Sequence, residues 1–160
     1  MALVRAANPG PFTLGGTNTW VVGRDPCWVV DPGPALDEHV AAVVAEARAR
    51  GGAAGIVLTH DHADHVEAVP AVAGALGAPV AAARYDAADR RIGDDDEIGP
   101  FTVVATPGHA PDHLAFVAGR AGVTRAALRG EGRGVIAPDP GARSGDLAGR
   151  ERLHGQALRV

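Results

Sequence analysis

The sequence predicts an α/β domain in which helices cover β-sheets. Short apolar runs typical of buried strands alternate with segments of helical periodicity, and polar clusters follow the strand ends. The length of 160 residues is that of one domain, and a hydrophobic content of 46% is sufficient for a core of Val, Leu, Ile and Ala. Because loops that follow strands are held by the scaffold and reached by water, we expect the functional site on these loops.

The first half of the chain is predicted to contain three strands and one helix. The strands are residues 11–23, 27–31 and 55–59, and a turn containing Gly23 and Asp25-Pro26 joins the first two. The helix lies before the third strand and ends at the glycine pair at 51 and 52. Its apolar residues recur at helical spacing, at Leu36, Val40, Val43, Val44 and Ala47.

The same alternation continues with a second helix and three further strands. The helix covers residues 66–76, and Pro70 either kinks it or delays its start. The strands are residues 79–83, 101–105 and 114–118. Residues 94–97 read Asp-Asp-Asp-Glu and are predicted to form a solvated turn, because they lack the alternating ligand pattern of a calcium loop.

The most informative polar cluster follows the strand at 55–59. Residues 60–65 read His-Asp-His-Ala-Asp-His. The spacing of His60 and His62 cannot place both rings on one helix face, but both can turn toward one point on a loop. Imidazole and carboxylate are both zinc ligands, so the cluster predicts a metal site, with a polar, solvated turn as the alternative.

A second cluster is predicted to complete this site. His109 follows the strand at 101–105, and Pro107-Gly108 turns the chain sharply just before it. Three histidines with an open fourth position are the arrangement of a catalytic zinc site. Asp64 and His65 could hold a second cation, since two-metal sites place their ions about 3.5–4 Å apart.

The remaining histidines receive other interpretations. His113 is predicted to orient metal ligands, because ligating groups need hydrogen-bonding partners of their own. His39 lies in the first predicted helix and is expected at the surface. His154 lies in an arginine-rich segment and is expected to be solvated.

Composition disfavours several classes of protein. The net charge of −4 and the isoelectric point near 5.9 give no reason to expect nucleic-acid binding. The only cysteine, Cys27, excludes an internal disulfide and fits a reducing compartment, and its apolar neighbours predict that it is buried in a strand. With no signal peptide and no apolar run near the ~18 residues of a membrane span, we expect a cytoplasmic protein.

Charge divides the chain into two segments. Residues 1–119 hold seven arginines and fifteen acidic residues, whereas residues 120–160 hold eight arginines and four acidic residues. We interpret residues 1–119 as the N-terminal part of the domain. Residues 120–160 are interpreted as a diverged segment rich in arginine and glycine, more loosely structured than the first.

Three motifs in this order resemble those of the metallo-β-lactamase superfamily. The cluster at 60–65 matches the signature His-x-His-x-Asp-His, and Thr-Pro-Gly-His at 106–109 resembles the second signature. Asp-Pro-Gly at 31–33 resembles the strand-end Asp-x-Gly that supports the metal loop. Residues 8–20 and 107–116 look closest to the β-lactamase-like-protein-2 branch, a neighbour of the glyoxalase II-like hydrolases.

This resemblance implies a fold, a reaction and a ligand set. The fold is the αββα sandwich, and members hydrolyse esters, thioesters, lactams or phosphodiesters with a metal-bound hydroxide. By analogy His60, His62 and His109 bind the first zinc. Asp64 and His65 contribute to a second zinc, one ion being the main expectation and two the alternative. Asp64 also accepts or relays a proton, and Asp31 and His113 orient ligands.

The C-terminal quarter departs from the pattern of the superfamily. Where a Gly-Asp pair normally supplies the aspartate that bridges both metals, residues 128–134 read Leu-Arg-Gly-Glu-Gly-Arg-Gly, and Glu131 could stand in for it. The second half of the sandwich, with its last strands and final metal-binding histidine, is expected to be absent. An oligomer could then cover the exposed sheet face, because large apolar patches mark interfaces.

Three functions therefore remain open. The first is a zinc hydrolase, the second an inactive metal-binding remnant, and the third a non-enzymatic interaction module that uses the exposed sheet. The sequence leaves open whether the substrate is a small molecule or a nucleic acid, and it predicts no membrane partner.

Overall fold

Two β-sheets and a layer of helices make up residues 1–118, which are the residues that the computed structural model describes. The larger sheet has six strands, each hydrogen-bonded to the next in chain order, antiparallel from β1 to β3 and parallel from β3 to β6. These strands are β1 Ala2–Arg5, β2 Asn18–Gly23, β3 Cys27–Val30, β4 Ala53–Val57, β5 Val80–Ala82 and β6 Arg90–Arg91. The predicted segment 120–160 lies outside the described residues.

The smaller sheet is antiparallel and follows the larger one in the chain. It consists of β7 Glu97–Ile98, β8 Phe101–Ala105 and β9 Leu114–Ala118. The helices are α1 Asp37–Ala49, α2 Ala63–Val66 and α3 Val69–Leu76. No helix within residues 1–118 is long and apolar enough to cross a membrane.

Local sequence explains where the two longer helices begin and end. Helix α1 carries Asp37 in its first turn and Arg48 in its last, and both charges complement the helix dipole. Pro70 lies in the first turn of α3, where its missing N–H costs no hydrogen bond, so the proline starts this helix instead of kinking it. Gly77 ends α3 in the left-handed conformation, with φ of 63°.

The strands β2, β3 and β4 of the larger sheet are covered on both faces. Adjacent residues of β2, β3 and β4 alternate between two cores, as the period of a strand requires. Val21, Val29 and Ile56 pack against the helices, in a core that includes Val43 and Val72. Val22, Val30 and Val57 pack against the second sheet, in a core that includes Phe101, Val103, Leu114 and Phe116. The layers therefore run helix, sheet, sheet, which confirms the predicted α/β fold with helices covering sheets.

Several element boundaries differ from the prediction. The strand predicted at residues 11–23 is β2 and begins only at Asn18, because Gly10 and Leu14 close a tight turn through two backbone hydrogen bonds. Strand β4 lies two residues earlier than predicted, and part of the histidine loop forms the short helix α2. Strands β1, β6 and β7 were not predicted. Residues 94–96 lie in the expected turn, whereas Glu97 begins β7.

The predicted burial of Cys27 is confirmed, whereas the predicted exposure of His39 is wrong. Cys27 is fully buried in β3. His39 is only 5% exposed, and its Nε2 lies 3.0 Å from both Thr19 Oγ1 and the carbonyl oxygen of Pro32. The reason is that the first turn of α1 packs on the Asp31-Pro32-Gly33 turn, so its polar His39 faces inward and binds that turn.

Candidate metal centre

The connection between β4 and α3 carries the first group of site residues. His60 is buried, at 4% exposure, and His62 directly precedes α2 and is exposed. Asp64 and His65 lie within α2, with His65 buried. The five-residue separation of β4 from the helix thus presents the His-x-His pair in extended backbone and the Asp-His pair in a helical turn.

The connection between β8 and β9 brings His109 to the same place. His109 Nε2 lies 3.1 Å from His62 Nδ1, and the His60 and His109 ring centroids are 5.3 Å apart. One nitrogen from each of His60, His62 and His109 can be chosen so that all lie within 4.8 Å of one another. The structure therefore brings together the three residues that the sequence assigned to the first metal.

One nitrogen of this cluster has no protein partner. The Nε2 atom of His60 is buried and lacks a hydrogen bond within the described part of the chain. An unsatisfied buried nitrogen is costly, and in a native structure it calls for an unseen partner. A metal ion fits here, because it would satisfy the His60 lone pair and face two further imidazoles.

The tautomer of His60 follows from its neighbours. Thr59 Oγ1 lies 2.7 Å from Asp31 Oδ2, and a carboxylate can only accept, so the hydroxyl must donate to it. The same Oγ1 lies 2.9 Å from His60 Nδ1, which must then be the donor. With its proton on Nδ1, neutral His60 offers the lone pair of Nε2 to the cluster.

Asp31 is the buried centre of this hydrogen-bond network. Its Oδ1 accepts from the Thr59 N–H at 2.7 Å, and its Oδ2 lies 3.0 Å from His65 Nδ1. Asp31 has φ of 51° and is fully buried, so the fold holds a strained residue at this point. The bond to Nδ1 leaves His65 Nε2 turned toward Asp64.

The predicted ligands of the second metal, Asp64 and His65, lie close together. Asp64 Oδ2 lies 3.4 Å from His65 Nε2. Two ligands at about 2.0–2.1 Å from one tetrahedral zinc ion are separated by roughly 3.3 Å, so this pair has the spacing of two ligands to one ion. The predicted ligands of the second metal therefore lie side by side and next to the first cluster.

Burial controls the charge of the histidines. Burial, with the neighbouring charge of His65, lowers the pKa of His60 to about 3, and burial lowers the pKa of His113 to about 4. Both rings are therefore neutral at pH 7, the form in which imidazole binds metal. Burial alone would lower the pKa of His65, but the Asp31 carboxylate outweighs it and raises that pKa.

His113 lies beside the cluster but outside the three-histidine group. Its ring centroid is 5.1 Å from that of His60, and its Nδ1 lies 2.9 Å from Thr106 Oγ1. It is buried, at 9% exposure. The position is compatible with the predicted orienting role, through packing against the His60 ring.

Three residues of this network were missed by sequence reasoning. Thr59 links Asp31 to His60 by hydrogen bonds. Its position directly before the histidine signature at 60–65 could have indicated this. Asp112 Oδ2 accepts from the Asp61 N–H at 3.1 Å and so joins the two histidine loops. Thr17 Oγ1 lies 2.8 Å from Asp64 Oδ2, across 47 residues of chain, a contact that no local pattern reveals.

Known proteins share both the sequence pattern and the fold. Residues 12–91 match the family model of the metallo-beta-lactamase superfamily. The chain is 36% identical over 126 residues to an atrochrysone carboxyl ACP thioesterase of Aspergillus chevalieri, covering 71% of this chain and 40% of that protein. It is 39% identical over 99 residues to a hydroxyacylglutathione hydrolase of Ectopseudomonas mendocina, covering 56% and 37% of the two chains. The chain thus spans about two fifths of the length of these relatives.

A solved structure shares the fold over most of this chain. The crystal structure of TTHA1623 in a di-iron-bound form is 25% identical and has a TM-score of 0.57, covering 72% of this chain and 66% of that one. The predicted metallo-β-lactamase fold is thereby confirmed.

Proposed function

This chain belongs to the metallo-beta-lactamase superfamily, and we propose that it serves in the zinc-dependent hydrolysis of esters or thioesters. The observation that carries the proposal is the orphaned, buried Nε2 of His60 within 4.8 Å of ligand atoms from His62 and His109. The relatives named as an ACP thioesterase and a hydroxyacylglutathione hydrolase support acyl transfer to water as the reaction. Placement in the β-lactamase-like-protein-2 branch stays a prediction.

The proposed mechanism assigns a role to each residue of the cluster. His60, His62 and His109 would hold the first zinc, and Asp64 with His65 would contribute to a second. Bound zinc lowers the pKa of a coordinated water to near 7 and polarises a carbonyl oxygen. Asp64 would accept at Oδ1 the proton that the attacking water loses, because Oδ2 already accepts from Thr17 and faces His65. Asp31 keeps His65 oriented and, through Thr59, sets the tautomer of His60.

The proposal is tested by hydrolysis of simple acyl probes with the full chain. We expect S-acetyl-N-acetylcysteamine or p-nitrophenyl acetate to be cleaved. Chelation of the metal should abolish this cleavage, and added zinc should restore it. His62→Ala should lower kcat/KM at least about 100-fold, because loss of a group that merely orients a metal ligand already costs about 10- to 100-fold. His154→Ala is the matched control, because the sequence predicts no site role for that histidine.

Each alternative has its own outcome. Cleavage that survives both chelation and His62→Ala would refute the zinc mechanism. Zinc bound without turnover of either probe would favour the metal-binding remnant. Absence of zinc together with a stable hetero-oligomer would favour the interaction module.

A further inference from the structure

The N-terminal segment Asn8–Thr17 reaches the metal centre, although the proposed mechanism gives it no role. Its turn is closed by hydrogen bonds between the backbones of Gly10 and Leu14, of 3.2 and 2.7 Å. Thr17, at the end of the segment, is only 2% exposed. Its hydroxyl lies 2.8 Å from Asp64 Oδ2. This segment therefore carries one buried polar group directly to a proposed ligand.

Asn8 determines the direction of that hydrogen bond. The Thr17 N–H donates to Asn8 Oδ1 at 2.9 Å, so the oxygen of the side-chain amide must face the Thr17 backbone. The amide nitrogen of Asn8 then lies 3.1 Å from Thr17 Oγ1 and donates to it. Because Oγ1 accepts from Asn8, its own proton is free to go to Asp64.

Asp64 has little else to hold it. It lies in a helix of four residues, and its side chain is 33% exposed. Among the contacts of the described residues, Thr17 is the only hydrogen-bond donor to that side chain. A carboxylate on such a helix can rotate about χ1 and χ2. The Thr17 bond fixes Oδ2 at 3.4 Å from His65 Nε2, the separation of two ligands to one ion.

We propose that Thr17, held by Asn8, is a positioning residue that fixes Asp64 for a metal ion shared with His65. This inference rests on the proposed function, since it assigns Thr17 to the metal centre of that function. Groups that orient metal ligands typically contribute 10- to 100-fold to metal affinity. Thr17 would therefore act on metal affinity and on the ligand field, without touching the ion.

The test is a titration of the metal-free full chain with zinc and with cobalt(II). The metal equivalent of interest is the one whose binding Asp64→Asn weakens or removes. Thr17→Val keeps the shape of the side chain but removes the hydroxyl, and should raise the dissociation constant of that equivalent about 10- to 100-fold and change its cobalt absorption spectrum. Thr17→Ser retains the hydroxyl and should restore both to within about threefold of the wild type.

A matched variant separates this role from general stability. Thr102 Oγ1 makes the same kind of bond, 2.7 Å from Glu97 Oε1, on the exposed β7–β8 ladder. Thr102→Val should leave both metal equivalents unchanged. A double variant, Thr17→Val with Asp64→Asn, should bind no more weakly than Asp64→Asn alone, because the hydroxyl acts only through that carboxylate.

The outcomes distinguish failure of the role proposed for Thr17 from failure of the proposed function. If His62→Ala abolishes zinc binding but Thr17→Val leaves it intact, the role of Thr17 is overturned and the metal centre is retained. Equal weakening by Thr17→Ser and Thr17→Val would also overturn it, since the hydroxyl would not be the cause. A wild-type chain in which no metal equivalent depends on Asp64 would overturn the inference, and a chain that binds no metal would overturn both.

Discussion

At the scale of single residues, Asp31 organises the candidate metal centre. One carboxylate receives three donors, the Thr59 N–H, the Thr59 hydroxyl and His65 Nδ1, at 2.7, 2.7 and 3.0 Å. These bonds decide which nitrogen of His60 and of His65 remains available as a ligand. The sequence indicated an orienting role for Asp31 by resemblance, but the relay through Thr59 required the structure.

We expect Asp31→Asn to destabilise the metal-free protein by about 3 kcal/mol, the cost of breaking a buried charged network. Asparagine has one acceptor oxygen, so at least one of the three donors would face its amide nitrogen. Urea unfolding measures the change. Asp86→Asn is the control, because Asp86 is exposed and its contact with Arg91 spans 3.6 Å, so we expect almost no change. A loss under about 0.5 kcal/mol for Asp31→Asn would contradict the account.

The histidines also predict how stability depends on pH in the metal-free protein. Burial lowers the pKa of His113 from the ordinary value of 6.5 to about 4. Between these values the unfolded chain binds a proton there that the native chain does not, so the free energy of unfolding must fall as pH falls. His60, with a pKa lowered to about 3 by burial and the His65 charge, acts in the same direction.

The two members of the buried Asp31–His65 pair contribute to the pH dependence of stability with opposite signs. The Asp31 carboxylate raises the pKa of His65 against the effect of burial, so that contribution is full below pH 6.5 and is lost as pH rises through the raised value. Burial would raise the pKa of Asp31, but the His65 charge lowers it, so its contribution is present above 3.8 and lost in acid.

His113→Gln tests the acid side directly. It should reduce the slope of unfolding free energy against pH between about 4 and 6.5 by roughly one proton, or about 1.4 kcal/mol per pH unit. Chemical unfolding at a series of pH values gives the slope. His154→Gln, at a histidine that the sequence predicts to be solvated, should leave it unchanged. An unaltered slope in His113→Gln would show that its folded pKa is not lowered.

At the scale of secondary structure, segments with a clear apolar pattern were predictable and two-residue strands were not. Helix α1 and strands β3, β8 and β9 follow clear apolar patterns, and the structure places them within one or two residues of the prediction. Strands β6 and β7 have only two residues each, too few for an apolar pattern, and are defined by their pairing with β5 and β8. His39 was misassigned because its partners, Thr19 and Pro32, belong to other elements.

Substitution of two glycines is predicted to change stability in opposite directions. Gly33, in the turn after β3, has φ of 91°, and a Cβ there would lie 2.5 Å from His39 Nε2. Gly33→Ala should therefore destabilise the protein by about 1–3 kcal/mol. Gly74 lies inside α3 with nothing within 4 Å of an added Cβ, so Gly74→Ala should stabilise it by about 0.5–1 kcal/mol. Thermal unfolding of both variants, beside the wild type, checks the signs, and two shifts in the same direction would be inconsistent with this explanation.

At the scale of the whole molecule, the packing of the two sheets brings together two signatures that are far apart in sequence. The β4–α3 and β8–β9 connections leave different sheets, and the apolar core between those sheets sets their separation. The sequence predicted the histidines that meet, since their residue types and loop context are local properties. It could not predict the Thr17–Asp64 and Asp61–Asp112 bonds, because those depend on how the sheets and the N-terminal segment pack.

The most direct test of the central claim is the zinc content per chain of the purified protein. Our account predicts at least one equivalent at pH 7, lost in His62→Ala and retained in His154→Ala. Elemental analysis of the three proteins, each with its fold verified by circular dichroism, provides the comparison. A wild-type protein without zinc, or zinc that His62→Ala leaves in place, would contradict the assignment of His60, His62 and His109 as the metal site.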